Sequence, residues 1–149
     1  MPSTSSSSDS VLRVHTDGGS RGNPGHAAYG FVFLNGSGEV VFEDGKYLGI
    51  ATNNEAEYAG LQAAVETLLT FGKLSELNLI EIKLDSNLVV QQVLGNWKIK
   101  EARLLPLVQT IRGLLAKLPC RYTIQQVPRA QNALADAKVN EMLDAQQGK

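Results

Sequence analysis

Several things are scarce in this sequence, and each shortage excludes a class of protein. There is one cysteine, Cys120, in 149 residues. No internal disulfide can form, which fits a reducing, cytoplasmic setting, and a thiol at the head of a strand-like segment reads as buried and structural. The two histidines, His15 and His26, have no partners at metal-ligand spacing, so a zinc site is not expected; His15 reads as a structural histidine and His26 as a loop residue. No apolar stretch approaches the roughly 20 residues that cross a bilayer. Met1 to Ser10 has no basic region, no apolar core and no arginine, so residues 1–10 read as a Ser-rich disordered tail rather than a targeting segment. Excess positive charge is missing as well: Lys and Arg number 14 against 15 Asp and Glu, for a net charge of −1. That balance argues against tight, indiscriminate binding to polyanions. The glycine-rich run from Gly18 to Gly25 lacks the Lys-Ser/Thr ending of a P-loop.

What remains suits one domain, residues 11–149, around a single core, with 43% hydrophobic residues. Val11 to Thr16 alternates as a strand, with Leu12, Val14 and Thr16 on one parity and Arg13, His15 and Asp17 on the other. Gly18 to Gly25 reads as a turn or tight loop. Ala28 to Leu34 forms a second strand, Asn35-Gly36 a hairpin turn, and Glu39 to Leu48 a third strand. Asn53 or Asn54 is placed to cap a helix reaching about Phe71, with Leu61, Val65, Leu68 and Leu69 at helical spacing and Gly72 as its stop. Leu77 to Leu84 is a fourth strand. Ser86 caps a short helix that ends at Gly95, and a longer helix spans Glu101 to Leu118 with Pro106 in its early part. Arg121 to Val127 is a fifth strand and Asn132 to about Ala145 a closing helix. The order βββ-α-β-α-α-β-α predicts an α/β fold. Three antiparallel strands are followed by two that join in parallel through crossovers, in one mixed five-stranded sheet with helices on both faces.

Four carboxylates stand out against this frame: Asp17, Glu57, Asp85 and Asp136. Asp17 and Asp85 each follow alternating strand residues and fall on the more polar parity. If their strands are parallel neighbours, about 4.8 Å apart, both carboxylates emerge at the same edge and face. Active sites in sheets with parallel strands favour that edge. Clustered carboxylate oxygens suit hard cations such as Mg²⁺, and a pair of such ions can hold both oxygens of a phosphoryl displacement. Parity alone does not bring Glu57 and Asp136, on their separate helices, to the same point.

The contexts of these acids carry a resemblance. Asp17-Gly-Gly-Ser-Arg-Gly-Asn-Pro-Gly, Thr52-Asn-Asn-Glu-Ala-Glu-Tyr, Asp85-Ser86 and Asn132-Ala-Leu-Ala-Asp136 resemble, in order and spacing, the motifs of type 1 ribonuclease H, over essentially all of the chain from Val11. The resemblance implies the ribonuclease H-like fold. It also implies an endonuclease that uses two Mg²⁺ ions, or Mn²⁺ in their place, to hydrolyse the RNA strand of RNA–DNA hybrids, leaving 5′-phosphate and 3′-hydroxyl ends. Asp17 would bridge both ions, Glu57 and Asp85 would complete one site, and Asp136 the other. Asn23, Asn53, Asn54, Ser86 and Asn132 match positions that contact the hybrid, and Thr52 one that binds a phosphate of the DNA strand. Double-stranded RNA is a further substrate for some relatives.

The chain also departs from the family pattern. Many bacterial members carry a loop histidine before the last acid. Here the segment is Val127-Pro128-Arg129-Ala130-Gln131, similar to the archaeal-style variant, with Arg129 as its charged residue. A lysine-rich protrusion is reduced to Trp97-Lys98-Ile99-Lys100 and Arg103, where Trp97 can stack on a sugar or base while Lys98 and Lys100 hold phosphates. Glu55 stands where some relatives carry a basic residue.

Each acid has an ordinary reading too: a turn residue at Asp17, a favourable helix N-terminal charge at Glu57, a cap at Asp85, an early helical acid at Asp136. The shared register selects the ligand reading. Two other classes compete with the enzyme, a catalytically silent hybrid- or RNA-binding module of the same fold and a transposase-like nuclease. Four mutually repelling acids serve no purpose in the first, and Glu57 falls on an earlier helix than the second would use. The expected protein is a monomeric, cytoplasmic hydrolase with no membrane partner.

Overall fold

The computed structural model describes residues 10–72 and 74–147; the expected tail lies outside them except for Ser10. Three strands, β1 (Val11–Gly22), β2 (Gly25–Asn35) and β3 (Val40–Ala51), form an antiparallel meander. They are followed by α1 (Asn53–Leu69), β4 (Leu79–Leu84), α2 (Asn87–Leu94), α3 (Leu105–Leu115), β5 (Arg121–Gln126) and α4 (Ala133–Gln146). Short 3-10 turns occupy Leu74–Glu76, Ala102–Leu104 and Arg129–Asn132. The sheet order is β3-β2-β1-β4-β5, with β1–β4 and β4–β5 parallel, as the crossover connections require.

The sheet is covered unequally. On one face Leu61, Val65 and Leu68 of α1 are buried with Val14, Phe31, Phe33, Ile80 and Ile82, and α2 and α3 extend that core through Val89, Val108 and Ile111. Each such aliphatic side chain contributes about 1.5–3 kcal/mol by leaving water. On the other face α4 buries Ala135, Val139 and Leu143, the last two against Ala28 with Tyr47 and Met142 beside them. The thinner face leaves room for polar side chains at the centre of the sheet.

Several expected boundaries move, for identifiable reasons. The glycine-rich run is not a loop: β1 continues through it, pairing Gly18 with Tyr29 and Gly22 with Gly25, and the turn is confined to Asn23 and Pro24. The backbone ladder with β2 overrides the turn preference of the glycines. At Gly18 the small residue serves close packing instead, since a Cβ there would lie 2.3 Å from the Ala56 carbonyl carbon in α1. Asp17 therefore sits within a strand rather than at its end. His26, expected in a loop, lies in β2 and stacks on Tyr47. β3 runs on to Ala51. The cap of α1 is Thr52, whose side chain accepts from the Glu55 amide while Glu55 accepts from the Thr52 amide. That capping box outcompetes the two asparagines expected at the start. The helix expected over Glu101–Leu118 is a 3-10 turn followed by α3, with Pro106 in its first turn. Gly95 closes α2 with φ +86°, as a left-handed C-cap.

Candidate active site

Four elements deliver the carboxylates. Parallel pairing of β1 with β4 matches Arg13 to Glu81 and His15 to Lys83; two more residues along each chain come Asp17 and, just past the end of β4, Asp85. Glu57 is one turn into α1, and Asp136 is in the first turn of α4. The close approach of Gly18 to α1 brings Glu57 over the sheet edge. One carboxylate oxygen each from Asp17, Glu57 and Asp85 lies within 4.8 Å of the others. Asp136 stands outside that trio, but its charge is close enough to raise the Asp17 carboxyl. It lines a cleft of about 200 Å³ with Asp17, Asn53, Arg129 and Asn140.

The electrostatics of the cluster are unfavourable without a cation. Asp17 and Glu57 are each 7% exposed. Burial, then the charges of Asp85 and Asp136, push the Asp17 carboxyl up from 3.8 to about 7, against the opposing pull of the Gly18 amide. Burial followed by Asp17 and Asp85 raises Glu57 well above its usual range. Glu57 Oε1 and Asp85 Oδ2 are buried with no hydrogen-bond partner. Among the described residues the cation nearest the cluster is Arg129, whose Nε is 3.8 Å from Asp85 Oδ2 with a side chain 82% exposed; so open a contact is weak. Orphaned, all-oxygen, like-charged ligands at this spacing fit a hard divalent cation.

The expected contact residues divide into open and committed groups. Asn54 sits in the first turn of α1, half-buried. Asn53 accepts from the Ser20 amide and hydroxyl and donates its own amide to Asn23, which ties the β1–β2 hairpin to the start of α1. Ser86 caps α2 by accepting from Val89 at 3.3 Å. Thr52 is spent on its capping box. Thr52→Ala is expected to cost about 1 kcal/mol, read as a lowered urea midpoint with unchanged slope; an unshifted midpoint would show that the box contributes nothing.

Asn132 requires a correction. It is fully buried, with Oδ1 3.1 Å from His15 Nδ1 and Nδ2 donating to the Thr16 carbonyl at 2.8 Å. Instead of facing a ligand, it pins the start of α4 to β1 and so places Asp136 opposite Asp17. His15 is the structural histidine expected, its pKa lowered chiefly by burial.

Trp97, Lys98 and Lys100 border a groove of about 610 Å³ together with Leu88 and Leu104. Arg103 reaches toward Glu55, with Nη1 3.9 Å from Oε2, so a positive charge stands beside the acid that replaced a basic residue. Two features went unread in the sequence. Arg21 holds the far end of α4 through Asn140, Asp144 and Gln147. Tyr58 donates to the buried Gln92. A glutamine on the same face of α2 as Val89 and Val93 was the available signal for the second.

Comparison with known proteins agrees with this geometry. A family model described as reverse transcriptase-like matches residues 15–142. The chain is 45% identical to ribonuclease HI of Halobacterium salinarum over 89% of its own length and 65% of that protein's. It superimposes on the crystal structure of that archaeal RNase H1 with a TM-score of 0.83 and 42% identity, covering 91% of this chain and 98% of the other. The chain belongs to the type 1 ribonuclease H family. LC11-RNase H1 in complex with an RNA/DNA hybrid matches with a TM-score of 0.84 at 38% identity, over 91% of this chain and 99% of that one. The bifunctional protein Rv2228c of Mycobacterium tuberculosis is 40% identical over 89% of this chain but only 35% of its own length, so this chain spans about a third of that ribonuclease H relative. Among the described residues no helix is long and apolar enough to cross a membrane.

Proposed function

We propose that this chain hydrolyses the RNA strand of RNA–DNA hybrids with two divalent ions, Mg²⁺ or Mn²⁺, held by Asp17, Glu57, Asp85 and Asp136. The observation that carries the proposal is the convergence of three carboxylates within 4.8 Å, two of them with orphaned buried oxygens. Divalent ions bound there supply activation of the attacking water and neutralise charge on the scissile phosphate. The chain's own groups do the rest. Asp17, Glu57, Asp85 and Asp136 would hold the ions, with Asp17 contributing to both positions, Glu57 and Asp85 to one and Asp136 to the other. Water adds to phosphorus and the bond to the 3′-oxygen breaks, leaving 3′-hydroxyl and 5′-phosphate ends. Asn23, Asn53, Asn54 and Ser86 lie at helix starts and the hairpin tip near the acids, where uncharged polar groups can read sugar hydroxyls, the 2′-OH above all. Trp97, Lys98, Lys100 and Arg129 supply stacking and phosphate contacts in a protein with little net positive charge.

The four acids come from one chain, which supports a monomeric enzyme. A single cysteine is compatible with a cytoplasmic location, and residues 11–149 form the catalytic domain. One assay tests the reading: labelled RNA–DNA hybrid, double-stranded RNA and single-stranded RNA are incubated separately with protein and Mg²⁺ or Mn²⁺. The hybrid is expected to be cut fastest, only in its RNA strand, with double-stranded RNA a slower substrate. Intact hybrid with both metals after prolonged incubation rejects the assignment and leaves the silent binding module.

A further inference from the structure

Gln92 is an amide within the hydrophobic core. It is 3% exposed, on the buried face of α2 beside Val89 and Val93. Its two polar atoms serve different parts of the molecule. Oε1 accepts from the hydroxyl of Tyr58, which is itself fully buried and follows Glu57 in α1. Nε2 donates to the backbone carbonyl of Lys98 at 3.4 Å. The guanidinium of Arg112 fixes this turn of α2 from behind, donating to the Gln92 and Val93 carbonyls at 2.7 and 3.0 Å.

The segment held in this way has no regular structure. From Asn96 to Lys100 the chain forms neither helix nor strand. Its first residues hang from Gln91, whose carbonyl accepts from the Asn96 and Trp97 amides at 2.9 and 3.2 Å. Past Trp97 the hydrogen bond from Gln92 to Lys98 acts together with Ile99, which packs against the core. Gln92 also lines the groove bordered by Trp97, Lys98 and Lys100. Stability alone does not call for this arrangement, because replacing both partners of a buried hydrogen bond by apolar groups of similar shape is close to neutral.

We propose that Gln92 is a positioning residue that, through Tyr58 and the Lys98 carbonyl, locks the Trp97–Lys100 segment to the helix bearing Glu57 and so sets substrate affinity. The proposal builds on the hybrid-cleaving function above. Trp97 is the sole tryptophan, so its fluorescence reports on this segment alone.

The test compares Gln92→Leu, Tyr58→Phe and the double variant with the parent protein. Each single variant leaves a buried polar group unpaired and lowers the melting temperature; the double variant removes both groups and recovers it. The tether to Lys98 is still missing in the double variant. There KM for the hybrid is expected to stay raised about fivefold, the factor carried by one net hydrogen bond, at unchanged kcat. Trp97 emission should be red-shifted and more readily quenched by acrylamide in the free protein. Parental KM or parental Trp97 emission in the stable double variant overturns the proposal and leaves Gln92 a packing residue. Should the parent fail to cut hybrid at all, the functional reading falls separately, and the emission of the free variants still decides whether Gln92 holds the segment.

Discussion

Asp17→Asn is expected to abolish hybrid cleavage, lowering the single-turnover rate by about a thousandfold or more, the scale seen when one preorganised charge-stabilising group is lost from an active site. Asp17 interacts with each of the other three acids: the charges of Asp85 and Asp136 raise its carboxyl, and its own charge raises that of Glu57. Asn keeps the shape of the side chain but removes the charge and turns one acceptor into a donor aimed at the ion position. The fold should survive, because Asp17 is held by ladder pairing to Gly30 and the substitution relieves repulsion. Cleavage of labelled hybrid in Mg²⁺ and Mn²⁺, with thermal unfolding of the same sample, checks both halves. A folded variant cutting within about tenfold of the parent would show that the cluster is not the catalytic centre.

The metal-free protein should become less stable as pH rises from about 4 to about 7. In the unfolded chain the Asp17 carboxyl loses its proton near 3.8, and in the folded protein only near 7. Across that window the native state binds more protons than the unfolded state, so the slope of stability against pH is negative. Glu57 shifts in the same direction and steepens the fall. The destabilising contribution of Asp17 is thus absent below about pH 4 and fully expressed above about 7. At pH 8 in EDTA, Asp17→Asn is expected to exceed the parent in stability by up to about 4 kcal/mol, because the rise from 3.8 to about 7 is worth about 1.4 kcal/mol per unit. The two should converge at pH 4. Saturating Mg²⁺ or Mn²⁺ binds only the folded parent and should restore its lost stability. Melting curves of parent and variant at both pH values, with and without metal, provide the measurement. A parent–variant difference that does not change with pH would contradict the coupling of the acids.

Much of this architecture was legible in advance. Strand periodicity in Val11–Thr16 and Ile80–Leu84 and helical spacing in Leu61–Leu68 report which side of each element faces apolar neighbours. The connection lengths then dictate antiparallel pairing early and parallel pairing late. The parity argument for Asp17 and Asp85 held for the same reason: parallel pairing keeps equal offsets on one face. Boundaries were harder to place where a residue's local preference competed with a partner distant in sequence. The glycines after Asp17 prefer a turn in isolation but became strand because β2 offered a ladder, and at Gly18 α1 left no space for a side chain. Thr52 displaced Asn53 as the cap because Glu55 completed a reciprocal pair.

By itself, then, the chain specified its elements and their order and marked four acids as candidates, since these depend on short-range stereochemistry and on motif register. Only the packed structure decided that Glu57 swings over the edge of the sheet, that Asn132 is withdrawn into the interior to place Asp136, and that Gln92 links two distant segments. Those outcomes depend on contacts between residues many positions apart, down to the space above one glycine, and no local pattern encodes such distances.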